Sequence, residues 1–259
     1  MKGPIAAAHW VRREATMIVG EWRAKSMPGP PFDQLAKPPL GGGKPVMLIP
    51  GLLGGDERLS FLASWLRHWG YRAIESGIRH NSRCPDRLID SLSARLRANL
   101  GGAEKALLIG HSKGGLLAYG IAHRFPELVE RVLALGSPLR DPFGLQWNTA
   151  VTVRAVAALN RIRGESRPGC YTRKCTCEAM RLVYGDAIPP VPVTNIASTK
   201  DGIVRFESCL HPHVAVHEVS TWHNSMPCEP EVIALVAAWL EQNPDHAELR
   251  AADLSLSAN

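Results

Sequence analysis

The chain has 259 residues, of which 45% are hydrophobic and 21% are charged. This composition is that of an ordinary globular protein, and it excludes a disordered or fibrous chain. The formal net charge is +6, but the lysines and arginines are scattered, so no basic run reaches the length expected of a nucleic-acid site or a polybasic membrane patch. The length predicts one α/β domain with an insertion rather than two domains.

The first 43 residues predict a helical arm followed by an irregular linker. Residues 5–26 mix apolar and charged side chains as one helix would, and prolines and glycines are frequent in residues 28–45. We expect the helix to pack on the domain; the alternative is peripheral membrane contact, with tryptophans and arginines at the lipid surface. The N-terminal stretch does not resemble a signal peptide, and no apolar run approaches the ~18 residues of a membrane span, which predicts a cytoplasmic protein.

Strands and helices alternate over residues 44–242, and residues 243–259 predict a loose tail. The predicted strands are residues 44–50, 71–75, 106–109, 128–135, 191–197 and 213–219. The predicted helices are residues 57–69, 85–100, 116–125 and 229–241, the first of them with Asp56 as its N-cap. Such alternation predicts an α/β fold with a mostly parallel central sheet, connected in the right-handed sense and covered by helices on both faces.

The segment Gly110-His111-Ser112-Lys113-Gly114-Gly115 joins a predicted strand to a predicted helix. A G-x-S-x-G sequence in this context is typical of a nucleophile elbow, a turn too tight for side chains two residues before or after the serine. Ser112 then projects its hydroxyl above the end of the strand. The helix N-terminus beneath it favours negative charge that develops nearby.

Four segments of the chain resemble the α/β-hydrolases, in their bacterial lipase and esterase branch. They are residues 49–52, 110–115, 198–204 and 222–224, and they follow the family's order between positions 44 and 242. The resemblance implies a serine hydrolase that cleaves carboxylic esters of acyl or lipid type through an acyl-enzyme, without a cofactor or a metal. Many members have histidine-glycine where this chain has Pro50-Gly51, which weakens the match at that loop.

The resemblance also implies a catalytic triad in the order serine, acid, histidine, with each residue after a strand. Ser112 would be the nucleophile, Asp201 the acid and His223 the base, since His223 alone lies between a last strand and a last helix. Asp141 and Asp186 lie in or beside the insertion and rank lower as the acid. His111 is expected to brace the elbow rather than to accept the serine proton.

The oxyanion hole would consist of the backbone N–H groups of Leu52 and Lys113. We expect the side chain of Lys113 to point into solvent. Residues 141–185 break the alternation and are expected to form a small cap over the active site. Val151 and Leu159 on its apolar helical face, together with Leu53, are the candidate substrate contacts.

The chain has six cysteines, at positions 84, 170, 175, 177, 209 and 228. Free thiols are the expectation for a reducing compartment. Two alternatives stay open: a disulfide from the insertion to the core, for instance to Cys209, and a zinc site that combines the three cysteines of the insertion with Cys209, His211 or His213. The C-x4-C-x-C spacing is not that of a standard zinc knuckle, and Cys84 stands apart from the others in sequence.

Three functions are compatible with these residues. A small-molecule or lipid ester is the expected substrate, and acyl transfer or the cleavage of a thioester or amide would use the same triad. A third hypothesis is a non-catalytic homologue that binds membranes or partners through its N-terminal helix. The intact Ser112, Asp201 and His223 argue against this third hypothesis.

Overall fold

The computed structural model describes residues 41–242, apart from 103, 166–168 and 185. The predicted helical arm, most of the linker after it and the C-terminal tail lie outside the described residues. Within them, no helix is long and apolar enough to cross a membrane.

Six parallel strands form one sheet, in the order β2-β1-β3-β4-β5-β6. Their bounds are β1 Pro45–Ile49, β2 Arg72–Glu75, β3 Ala106–His111, β4 Val129–Leu135, β5 Val193–Ser198 and β6 Ala215–Val219. In the register of the central pairs, Ile49 lies opposite Gly110 and His111 lies opposite Leu135. Because the strands are parallel, all six carboxyl ends meet at one edge of the sheet, where ligands bind in open α/β folds.

Helices cover both faces of the sheet, as predicted. They are α1 Ser60–His68, α2 Pro85–Asn99, α3 Lys113–Arg124, α4 Trp147–Ile162, α5 Glu178–Tyr184 and α6 Pro230–Glu241. Alternate strand residues point to opposite faces. On β1, Met47 and Ile49 pack with α2, α3 and α5, whereas Val46 and Leu48 pack with α1 and α6. This alternation divides the main core into two layers.

Asp56 does not cap the following helix, contrary to the prediction. It begins a short 3-10 turn, Asp56–Leu59, and its carboxylate accepts hydrogen bonds from the N–H groups of Ser76 and Gly77 and from the hydroxyl of Ser76. Asp56 therefore joins the start of α1 to the loop after β2. The sequence supports a cap and this longer connection equally, since both use an acidic side chain at a helix start.

The predicted insertion lies between β4 and β5 and contains α4 and α5. Helix α5 packs on α3 and joins the core through Ala179 and Val183. Helix α4 instead leaves several large apolar side chains in solvent, and Trp147 is 65% exposed. One part of the insertion thus belongs to the core, and the other lies on the surface.

Candidate active site

Ser112 occupies a sharp turn between β3 and α3, with φ 53° and ψ −120°. A non-glycine residue in this region of backbone space is strained, by about 1–3 kcal/mol. The turn leaves no room beside it: a Cβ on Gly110 would lie 2.4 Å from the carbonyl carbon of Gly114, and one on Gly114 would lie 2.0 Å from the oxygen of Ile49. These distances confirm the predicted need for glycine at both positions.

Asp201 and His223 form a buried pair beyond β5 and β6. The Asp201 Oδ2 atom lies 2.6 Å from His223 Nδ1, and both side chains are almost fully buried. The other carboxylate oxygen, Oδ1, accepts hydrogen bonds from the N–H groups of Ile203 and Val204, each at 2.8 Å. The carboxylate is therefore fixed in orientation, and it holds the histidine ring through one defined nitrogen.

The pair lies at the same edge of the sheet as Ser112. The ring of His111, the residue before Ser112, lies 4.7 Å from the ring of His223, and its Nε2 donates to the carbonyl oxygen of His223 at 3.0 Å. A Cβ placed on Gly136, at the end of β4, would lie 3.2 Å from His223 Nδ1. His111 thus connects the serine turn to the histidine loop, in agreement with its predicted bracing role.

Burial lowers the pKa of His111 to about 3, and the nearby charges of His223 and Arg58 act in the same direction. An unfolded chain would protonate this histidine below about pH 6.5, whereas the folded chain keeps it neutral. The folded state therefore loses stability as the pH falls from 6.5 toward 3. One such group contributes at most about 1.4 kcal/mol per pH unit to the free energy of unfolding.

We predict that His111→Gln flattens this acid dependence. Glutamine keeps a donor that can reach the carbonyl of His223 but has no proton to gain. Urea unfolding at pH 4.5, 5.5, 6.5 and 7.5 measures the effect, and the wild-type protein should lose more stability than the variant as the pH falls below 6.5. Parallel stability curves for the two proteins would mean that His111 is not held neutral by the fold.

The loop after β1 passes close to the serine. A Cβ on Gly51 would lie 3.2 Å from the Cβ of Ser112, and Leu52 lines the same cavity as Ser112 and Lys113. Among the described residues, no acceptor takes the backbone N–H of Leu52 or of Lys113. The N–H of Lys113 is a first-turn donor of α3, a class of group that helices leave unpaired.

Asn81 holds that loop in place, a role that sequence reasoning missed. Its side chain donates to the carbonyl of Pro50 at 2.6 Å, its carbonyl accepts from Leu53, and its N–H donates to Gly54. The residue is completely buried. No periodicity or motif marks an asparagine in an irregular segment, so only the tertiary structure identifies this role.

The Lys113 side chain is buried, so the prediction that it points into solvent was wrong. Its Nζ donates to the carbonyl oxygens of Arg83 at 2.9 Å and Asn81 at 3.3 Å, and to the hydroxyl of Tyr171. Burial lowers the pKa of Lys113 to about 7, against the opposite effect of three nearby cysteines. The lysine therefore joins the elbow to the loop before α2 and to the insertion.

An apolar cavity opens beside Ser112, between α3, the insertion and the loop after Asp201. Its lining is Leu52, Pro85, Ser112, Lys113, Leu116, Leu117, Pro138, Pro142, Phe143, Leu145, Thr149, Val153, Tyr171, Ala179, Met180 and Ile203. Few of these side chains carry polar atoms. The cavity therefore suits a hydrocarbon chain better than a charged group.

The expected substrate contacts Val151, Leu159 and Leu53 do not line this cavity. Each is about half exposed to solvent, and α4 turns Thr149 and Val153 toward the cavity instead. The apolar residues of α4 lie on more than one face, so the sequence pattern could not distinguish the inward face from the outward one.

Solved structures of similar shape exist, although no family model matches the sequence. A metagenomic carboxyl esterase superposes with a TM-score of 0.60 at 16% identity, covering 83% of this chain and 81% of its own. A monoacylglycerol lipase from Paleococcus ferrophilus gives 0.55 at 17% identity, covering 79% and 96%. The chain has the α/β-hydrolase fold. A thioesterase domain from the curacin biosynthetic pathway also superposes, with a TM-score of 0.51 at 15% identity and coverages of 78% and 92%.

Within this α/β-hydrolase fold, the three predicted catalytic residues follow β3, β5 and β6 in the order expected from the sequence. The two lower-ranked acids have other surroundings. Asp141 forms an ion pair with Arg173 at 2.9 Å, and Asp186 is exposed on a turn. Of the candidate acids, only Asp201 contacts a buried histidine in the described part of the chain.

Proposed function

We propose that the protein is a serine hydrolase that cleaves carboxylic esters with an apolar acyl group. The observation that carries the proposal is the buried Asp201–His223 pair at the same edge of the sheet as the strained Ser112. A buried, oriented carboxylate–imidazole pair beside an elbow serine is the arrangement that serine catalysis requires. The esterase and lipase neighbours are consistent with this chemistry.

In the proposed mechanism, Ser112 Oγ attacks the ester carbonyl carbon as His223 accepts its proton. Asp201 holds the proton on His223 Nδ1, which leaves Nε2 as the base. The N–H groups of Leu52 and Lys113 donate to the tetrahedral oxyanion. His223 then protonates the leaving alkoxide as the C–O bond breaks, and water releases the acid from the acyl-enzyme by the same steps.

The cavity supports the choice of an acyl substrate. Leu116, Leu117, Val153 and Met180 present hydrocarbon to the space beside Ser112. Burial of each additional methylene of an acyl chain gains about 0.8 kcal/mol, or roughly four-fold in kcat/KM when the transition state benefits. We therefore expect kcat/KM to rise from acetyl to hexanoyl esters.

Two substitutions on α4 test this prediction. Val153→Asn places an amide in the cavity and should flatten the rise across p-nitrophenyl acetate, butyrate and hexanoate. Val151→Asn makes the same change two residues away, on a side chain that is 56% exposed, and should leave the chain-length profile unchanged. Steady-state kcat/KM and the melting temperature are measured on both variants and on the wild-type protein.

Equal losses for every ester in Val153→Asn, with a lowered melting temperature, would show that Val153 only packs the insertion. No turnover of any ester by the wild-type protein would contradict the proposed function itself. Hydrolysis of acyl thioesters without hydrolysis of oxygen esters would instead assign the site to thioester cleavage.

A further inference from the structure

Three buried cysteines of the insertion, Cys170, Cys175 and Cys177, pack with Cys84 of the loop before α2. The Sγ atom of Cys177 is 3.3 Å from that of Cys84 and 3.5 Å from that of Cys170, and these three sulfurs all lie within 4.8 Å of one another. Cys175 packs in the same buried cluster, with its sulfur outside this group of three. Cys84 was expected to stand apart, and its place in this group could not be read from the sequence.

The cluster differs from the zinc site considered from the sequence. Cys209 does not belong to it, because that residue packs with Ala197 and Val204 after β5. His211 lies beside Tyr119, with ring centres 5.6 Å apart. The donor set is therefore all sulfur, and it joins the loop before α2 to the loop before α5.

A disulfide explains this grouping poorly. A disulfide joins one pair of sulfurs at about 2.05 Å, whereas the sulfur of Cys177 has two near neighbours, those of Cys84 and Cys170. Four sulfurs at the corners of a zinc tetrahedron, each about 2.3 Å from the metal, are separated by roughly 3.8 Å. The observed separations of 3.3 and 3.5 Å are close to this spacing.

The surroundings of the cluster favour thiolates. Cys84 is the N-cap of α2, so its side chain lies at the positive end of the helix dipole. Met180 and Phe143 pack against the group and exclude water. Burial lowers the pKa of Lys113, and negative charge on Cys84, Cys170 or Cys177 acts to raise it and so favours the ammonium form. Zinc with four thiolates carries a net charge of −2, which this ammonium partly offsets.

We propose that Cys84, Cys170, Cys175 and Cys177 bind one zinc ion. Binding replaces four thiol protons with four Zn–S bonds and releases the protons to solvent. All four positions are then protein sulfurs, so the site is structural and leaves no open position for substrate. The ion would fix the insertion to the core on either side of Lys113, whose Nζ contacts Arg83 and Tyr171, the neighbours of two of the ligands.

Metal content tests the proposal directly. The wild-type chain, expressed with zinc and purified under reducing conditions without chelator, should contain about one zinc per chain by plasma mass spectrometry. Cobalt(II) in place of zinc should give the intense sulfur-to-cobalt charge-transfer absorption of tetrahedral thiolate ligation. Cys84→Ser and Cys177→Ser should each lose most of the metal. Cys209→Ser, a matched change at a buried cysteine outside the cluster, should keep it.

A second measurement does not depend on the folding of a variant. A mercurial added to the folded wild-type protein should release the zinc, with an increase in absorbance of a zinc-sensitive dye that parallels thiol titration. Metal-free wild-type protein with six titratable thiols, a Cys84–Cys177 disulfide detected in peptide masses, or full metal content in a soluble Cys177→Ser variant would each overturn the proposal. None of these outcomes bears on whether Ser112 is a nucleophile.

Discussion

Ser112→Ala is expected to lower ester hydrolysis by several thousand-fold or more while the protein stays folded. Removal of the nucleophile from a serine enzyme leaves only the residual effect of binding and the oxyanion hole. Alanine keeps the Cβ that the tight turn already accommodates, so no new contact is introduced at φ 53°. Turnover of p-nitrophenyl butyrate, together with circular dichroism and the melting temperature, separates lost chemistry from lost structure.

A fluorophosphonate probe provides an independent readout of the same residue. The wild-type protein should be labelled at Ser112, and Ser112→Ala should not be labelled. Ser64→Ala, a change at an exposed serine on α1, is the control and should behave as wild type. Wild-type turnover in a Ser112→Ala preparation free of other esterases would show that another residue is the nucleophile.

Asp201→Asn is expected to lower kcat by roughly 10⁴-fold, if the effect of a wrong histidine tautomer carries over from other serine enzymes. The amides of Ile203 and Val204 donate to Oδ1, so the asparagine oxygen should take that position. The asparagine NH₂ group then faces His223 Nδ1 and can only donate to it. The histidine proton is forced onto Nε2, and the base for Ser112 is lost.

Asp141→Asn is the matched comparison, because Asp141 carries the same functional group in an ion pair with Arg173 on the insertion. Its kcat should stay within a few-fold of wild type. A severe loss of kcat in Asp141→Asn or Asp186→Asn, together with a mild loss in Asp201→Asn, would show that Asp201 is not the catalytic acid. Stopped assays near pH 7 and near pH 9 can further test whether the remaining activity depends on hydroxide.

The features that local sequence determines were predicted correctly. Glycines 110 and 114 are required by contacts with residues adjacent in the turn or in the neighbouring strand, so a short motif was sufficient to identify the elbow. The six strands and the helices α1, α2, α3 and α6 were placed within a few residues, whereas α5 in the insertion was not predicted. The parallel order then puts the ends of β3, β5 and β6 at one edge, where Ser112, Asp201 and His223 follow.

Features that depend on distant contacts could not be predicted. Lys113 is buried because two carbonyl groups from the loop before α2 and a tyrosine from the insertion surround its ammonium. Cys84 joins three cysteines that follow it by more than 80 positions. Neither arrangement leaves a periodic pattern, since single polar or sulfur-bearing side chains in loops have no preferred spacing until the chain is folded.

The exposed Trp147 is a fluorescent probe of the surroundings of α4. Trp65, Trp69 and Trp239 are buried in the core, where indole emits at shorter wavelengths and is poorly reached by soluble quenchers. Trp147 lies two residues before Thr149, which lines the cavity. Its emission, isolated as the difference between the wild-type protein and Trp147→Phe, would report the polarity at the start of α4. An acyl ligand, a detergent or an oil surface that contacts this helix would then shift the emission wavelength of Trp147, so that binding is measured without any turnover.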